Sequence, residues 1–172
     1  SRNITIGGIE NALREAFPEY DVVRAFTAQT IIDKLKERDG ITIFNVEEAL
    51  DDAVARGVKK LVVQPTHLMD GFEYTDLKTT LSDYEDKFDS VALGEPLLMS
   101  DADYAALVEA ITAKMSAYDD GKTAICFMGH GTEADSNEDY AILQQKLNEA
   151  GRENYFVATV EAEPSFTDVI DM

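Results

Sequence analysis

A single cysteine, Cys126, among 172 residues excludes an internal disulfide. Its place in the run Thr123-Ala124-Ile125-Cys126-Phe127-Met128 reads as a buried strand position with an inert thiol. No apolar stretch approaches the roughly 20 residues that a bilayer-spanning helix needs, and no basic start leads into an apolar run as in a signal peptide. The expected compartment is the cytoplasm. Because the chain opens on Ser1 and not on Met, a removed upstream segment or export signal is left open. Positive charge is scarce: 15 Lys and Arg face 34 Asp and Glu, a net charge of -19. That surplus repels nucleic acid and anionic membrane, so neither is an expected partner; by itself it also serves solubility.

Several chemical signatures are missing too. There is no Gly-x-x-x-x-Gly-Lys phosphate loop and no Gly-x-Gly-x-x-Gly dinucleotide fingerprint, so no nucleotide is expected. His-Glu-x-x-His and paired cysteines are absent, and no Gly-x-Ser-x-Gly elbow marks a serine hydrolase. Neither an internal repeat nor a Gly/Ser-rich or Pro-rich linker marks a domain boundary.

What is present is a chain with 45% hydrophobic residues, enough for a real core in one domain or two small ones. Ile6, Ile9, Leu13, Ala16 and Phe17 recur at three- and four-residue intervals and predict a helix over residues 4–17, stopped by Pro18. Residues 21–26 read as a strand, and Thr27 as the cap of a helix ending at Asp39-Gly40. Asn45 and Glu48 have capping-box spacing for a helix running to Arg56-Gly57. Residues 60–64 read as a buried strand, 90–93 as a short one, and Ser100 with Asp103 as the start of a further helix. Residues 123–128 give the clearest strand, followed by a helix over 139–150, a strand over 155–160 and a helix opening near Pro164. This alternation predicts an α/β fold with a doubly wound parallel sheet.

In such sheets ligands bind beyond the carboxyl ends of the strands. The chain has two histidines, and both fall there: His67 in Pro65-Thr66-His67-Leu68, and His130 in Met128-Gly129-His130-Gly131. Glycines on either side leave His130 unshielded and permit close backbone approach. Its bland alternative is a ring that donates to a loop carbonyl and holds a turn. For His67, beside Leu68 and Met69, the alternative is a half-buried structural ring. Glu73 and Glu161, after two of the strands, add carboxylate oxygen, although an exposed glutamate is more often simply solvated. Imidazole with carboxylate suits a borderline divalent ion such as Co²⁺, Fe²⁺, Ni²⁺ or Zn²⁺ without choosing among them.

Six segments then carry a resemblance. Arg24-Ala25-Phe26-Thr27, Val63-Gln64-Pro65-Thr66-His67, Gly71-Phe72-Glu73-Tyr74, Gly94-Glu95-Pro96-Leu97-Leu98, Phe127-Met128-Gly129-His130-Gly131 and Val160-Glu161-Ala162-Glu163-Pro164 resemble, in order and at matching spacing, the anaerobic cobaltochelatase family of cobalamin biosynthesis. The resemblance implies a chelatase-like α/β fold of two lobes. Residues 1–118 would form the N-terminal lobe, lacking its first strand, and residues 119–172 the start of the C-terminal lobe. It further implies ATP-independent insertion of Co²⁺, as substrate metal, into the tetrapyrrole sirohydrochlorin. On this resemblance His130 is a metal ligand with catalytic weight, and Glu161 is a carboxylate beside the metal. Glu73 is a catalytic and His67 a substrate-binding residue of the facing loop, with Arg24 a candidate positive group for the substrate's carboxylates. The family pattern also has a strand before Ser1 and a second metal-ligand histidine beyond Met172. A chelatase for another metal such as Fe²⁺, or a non-catalytic metal or tetrapyrrole carrier, stays open, as does a homo-oligomer.

Overall fold

The computed structural model describes residues 5–170. Its elements alternate in the expected α/β manner. Helix α1 (Ile6–Ala16) precedes strand β1 (Ala25–Phe26), α2 (Gln29–Asp39), β2 (Phe44–Asn45) and α3 (Val46–Ala55). Then come β3 (Lys60–Val63), α4 (Phe72–Ser82), β4 (Ser90–Leu93), α5 (Asp101–Met115), β5 (Ile125–Gly129), α6 (Glu138–Glu149), β6 (Tyr155–Thr159) and the short α7 (Phe166–Ile170). Among the described residues the strands pair two by two: β1 with β2 and β5 with β6 in parallel, and β3 with β4. The expected start of α1 at residue 4 lies outside the described residues.

The chain divides into two compact units, one of Ser1–Leu61 with Leu77–Ala92, the other of Val62–Asp76 with Leu93–Met172. In the first, β1 and β2 meet over only two rungs, Ala25 with Phe44 and Phe26 with Asn45. The strand expected over 21–26 is cut short at its start: in this parallel register residues 21–24 would face residues 40–43, where Gly40 still closes α2 in the left-handed region, and at the other end Asn45, the last rung, caps α3. Its side chain accepts from the Glu48 amide at 2.8 Å, while the Glu48 carboxylate accepts from the Asn45 amide at 2.9 Å. Helix α2 starts after Ala28 with no side-chain cap, so Thr27 does not serve it as expected, and it stops at Gly40 with φ +66°. Buried apolar side chains of this unit include Ile32, Leu50, Ala53, Leu81 and Phe88.

In the second unit five parallel rungs, Ile125 with Tyr155 through Gly129 with Thr159, join β5 to β6. Tyr104 and Val108 of α5, Tyr140, Leu143 and Leu147 of α6, and Tyr155 and Val157 of β6 form one buried cluster. Leu147 and Tyr155 are fully enclosed. At its edge the Asp119 carboxylate accepts from the Asn154 amide at 2.9 Å, the Gly121 backbone at 3.1 Å and the Tyr155 hydroxyl at 3.0 Å. Those bonds, the Asn154 one foremost, hold its pKa below the ordinary carboxylate value.

Three local expectations change. Cys126 is exposed, because Ile125 and Phe127 face the core and strict alternation sends Cys126 and Met128 to the other face of β5. Val62 of β3 is exposed for the same reason, so that strand is half-buried rather than covered on both faces. Glu73 lies in the first turn of α4 instead of on a loop. No helix among the described residues is long and apolar enough to cross a membrane.

Candidate functional site

The carboxyl ends of β5 and β6 are held together past the last rung of the ladder. The Val160 amide donates to the Gly129 carbonyl at 3.1 Å and the Glu161 amide to the His130 carbonyl at 2.9 Å, so the two loops leave the sheet side by side. Thr159 reinforces the turn from inside. It is fully buried, its hydroxyl donates to the Ala162 carbonyl and accepts from the Ala162 amide at 3.1 Å, and its own amide donates to the Pro164 carbonyl at 2.7 Å.

Packing explains both glycines around His130. A Cβ on Gly129 would come within 2.2 Å of the buried Tyr140 ring. Gly131 adopts φ +88°, a region that L side chains rarely enter, and a Cβ there would lie 2.8 Å from the Ala162 Cβ and 2.9 Å from the Ala162 amide nitrogen. The Tyr140 hydroxyl also accepts, at 3.4 Å, from the Gly131 amide. Backbone can thus press against helix α6 on one side and the Glu161 loop on the other.

This register puts His130 and Glu161 together, with Nε2 3.7 Å from Oε2 and with side chains 77% and 66% exposed. Two donors each about 2.1 Å from a shared ion stand about 3.0–3.6 Å apart for angles of 90–120°. A small adjustment of two solvent-facing side chains would bring the pair onto one cation. The Nδ1 atom lies 3.0 Å from the Gly131 carbonyl oxygen. A carbonyl only accepts, so Nδ1 carries the hydrogen, and the neutral ring keeps its free lone pair on Nε2, beside Glu161. Ligating histidines are commonly oriented in this way. The bond to Gly131 is also the one a turn-holding histidine would make; the carboxylate beside Nε2 is what goes beyond that.

His67 and Glu73 belong to the same compact unit. The His67 carbonyl accepts from the Leu97 amide at 3.0 Å, which fixes the loop, and its Nδ1 is buried without a hydrogen-bond partner among the described residues. Only Nε2 is then left to meet a ligand. Glu73 Oε2 and Ser136 Oγ each lie 3.8 Å from the point a Cβ on Gly71 would occupy, so the Glu73 helix start neighbours the segment leading into α6. Arg24, in the other unit, is ion-paired with Glu10, which also binds Arg14 at 2.6 Å. No group of three or more His, Cys, Asp or Glu side chains among the described residues is placed to hold a metal, so His130 and Glu161 stand as a pair.

Sequence reasoning missed Thr159, Tyr140 and Asn137. Tyr140 shares the three- and four-residue spacing of Leu143 and Leu147 and could have been read as a core position, though not as the surface against which Gly129 rests. The roles of Thr159 and Asn137 depend on partners in other segments. The Asn137 amide accepts from the Thr132 backbone at 3.1 Å and donates to the Glu163 carbonyl at 2.8 Å.

Comparison with known proteins adds an independent finding. The family model described as Cobalt chelatase (CbiK) matches residues 1–172. A protein named sirohydrochlorin cobaltochelatase from Salmonella typhimurium is 33% identical over 162 residues, covering 94% of this chain and 61% of its own length. The sirohydrochlorin cobaltochelatase CbiKC of Nitratidesulfovibrio vulgaris is 28% identical over 145 residues, 81% of this chain and 50% of its own. The chain therefore spans between half and about three fifths of the length of these relatives.

Proposed function

The chain belongs to the cobalt chelatase (CbiK) family, and from that premise we propose that it carries the metal-delivering part of an enzyme that inserts Co²⁺ into sirohydrochlorin without ATP. Both relatives are named for that substrate and metal. The reading includes no nucleotide and places the reaction in the cytoplasm. Residues 1–118 are assigned to one chelatase lobe and 119–172 to the start of the second.

Insertion requires a partly dehydrated ion to be presented to the macrocycle while two pyrrole N–H protons leave. His130 Nε2 and Glu161 hold Co²⁺ in this scheme. A neutral imidazole is a good ligand for a borderline ion, and a carboxylate offsets its charge. Glu73 takes part in proton removal, as a solvent-facing carboxylate can. His67 helps place the macrocycle through Nε2. Arg24 is the candidate partner for substrate carboxylates, in competition with Glu10.

One observation supports the scheme most: the Nδ1 contact with Gly131 leaves the Nε2 lone pair of His130 3.7 Å from Glu161. In the full chain, His130→Ala is expected to abolish cobalt insertion, followed by tetrapyrrole absorbance, while circular dichroism stays that of the parent. Parent-like turnover in that variant refutes the scheme. Running Fe²⁺ and Ni²⁺ in parallel tests the choice of metal, which the donor types leave open.

A further inference from the structure

Asparagine is among the best helix N-cap residues, because its side-chain oxygen accepts from a free amide of the first turn. Asn137 stands directly before α6 but is already helical (φ −60°, ψ −24°), as the last residue of a 3-10 turn, Asp135–Asn137, that runs into the helix, and its side chain makes no capping bond. Its Oδ1 accepts instead from the Thr132 amide at 3.1 Å, and its Nδ2 donates to the Glu163 carbonyl at 2.8 Å. The orientation of the amide is forced, since one partner can only donate and the other only accept. Thr132 stands two residues after His130, and Glu163 two residues after Glu161. The two ends of one side-chain amide thus grip the two loops at equal distances beyond the candidate cobalt donors.

Both bonds of this side chain go to partners distant from the helix start, so tertiary structure and not local capping accounts for it. We propose that Asn137 is a positioning residue that sets the separation of His130 and Glu161 for Co²⁺; this rests on the reading of those two side chains as cobalt donors. The ladder bonds Val160 to Gly129 and Glu161 to His130, with the Thr159 turn, fix the backbone where the loops begin. Asn137 closes the far side of the same frame. No other side chain of its size offers a donor and an acceptor in one rigid plane. Aspartate keeps only the acceptor and sets a charge against the Glu163 carbonyl, and alanine keeps neither.

The test uses the full chain and titrates Co²⁺ alone, read by the visible absorption of the bound ion, for the parent, Asn137→Ala, Asn137→Asp, Asn137→Ser and His130→Ala, with a thermal melt of each. Asn137→Ala and Asn137→Asp are expected to weaken cobalt binding roughly tenfold, the lower end of what outer-shell supports of a metal site contribute. The absorption bands should shift, while melting temperatures stay close to the parent's. Asp and Ser keep a polar side chain of similar or smaller size at the same position, so they report on the bridge even if the alanine variant folds poorly. Parent-like cobalt affinity in all three Asn137 variants, with binding lost in His130→Ala, overturns the positioning role and leaves the site reading standing. Affinity losses that merely track falls in melting temperature overturn it as well. Parent-like cobalt binding in His130→Ala removes the reading on which it rests.

Discussion

Helices α3 and α6 both begin after an asparagine and both bury a leucine, yet the two asparagines are used differently. Asn45 serves its own helix through a reciprocal bond pair with Glu48. Asn137, already helical in the 3-10 turn that leads into α6, caps nothing and ties together two loops that follow different strands. Near β2 the short bonds of Asn45 are local ones, beside a long one from its Nδ2 to the Gln29 side-chain oxygen at 3.4 Å. Near β5 and β6 the same residue type bonds instead to two segments that follow different strands. Stability there has to come from packing: Leu147 of α6 is fully enclosed and part of a continuous apolar cluster, whereas Leu50 of α3 keeps some exposure.

The largest expected effect tests that dependence on packing. Leu147→Ala should destabilise the protein by about 3–5 kcal/mol and Leu50→Ala by about 2–3, from opposite ends of the range for large-to-small core changes. Equal losses in chemical denaturation would break the contrast between the two helices. A smaller effect follows from the caps. Asn45→Ala removes the side-chain acceptor of the capping box, leaving the Asn45 backbone bond to the Glu48 carboxylate, and should cost about 1 kcal/mol, read as a lower denaturation midpoint with unchanged cobalt binding. That outcome is the reverse of the one expected at Asn137.

The same contrast explains how much could be read from the sequence. Asn45 and Glu48 stand three residues apart, a spacing with a known geometric meaning, and the helix they start was legible. The partners of Asn137 lie five residues before it and 26 after it, and no local rule connects them. His130 was legible as a candidate because flanking glycines are a visible signal, and Glu161 because it follows a clear strand. That the two stand in register is a property of the parallel ladder and of the Thr159 turn. Helix α4 went unread, since Thr75, Asp76, Thr79 and Thr80 are weak helix formers, while its stripe of Tyr74, Leu77 and Leu81, all buried, needs the folded partner to matter. Cys126 was misplaced for a simpler reason: an apolar run suggested burial on both faces, and the period-two alternation of a half-covered strand prevailed.

The smallest expected effect concerns the first turn of α6. Asp139, in that turn, has a carboxyl pKa raised above its ordinary value, first by burial and then by Glu138 and Asp70, against the lowering bond it accepts from the Tyr104 hydroxyl at 2.7 Å. The folded state therefore holds the proton more tightly than the unfolded chain. Its favourable contribution is complete below the unfolded value of about 3.9 and is lost as the pH rises through the higher folded one. Near neutral pH the parent bears the unfavourable charged form, offset in part by the attraction of the helix N-terminus for an anion, typically about 0.3–1 kcal/mol. Asp139→Asn keeps an acceptor for Tyr104 and removes the charge. It should be at least as stable as the parent at about pH 7, and urea midpoints should move in the parent's favour as the pH is lowered toward about 4. A variant clearly weaker than the parent at neutral pH would show that the Asp139 charge supports the α6 start, and that this helix end is capped electrostatically where α3 is capped by a side chain.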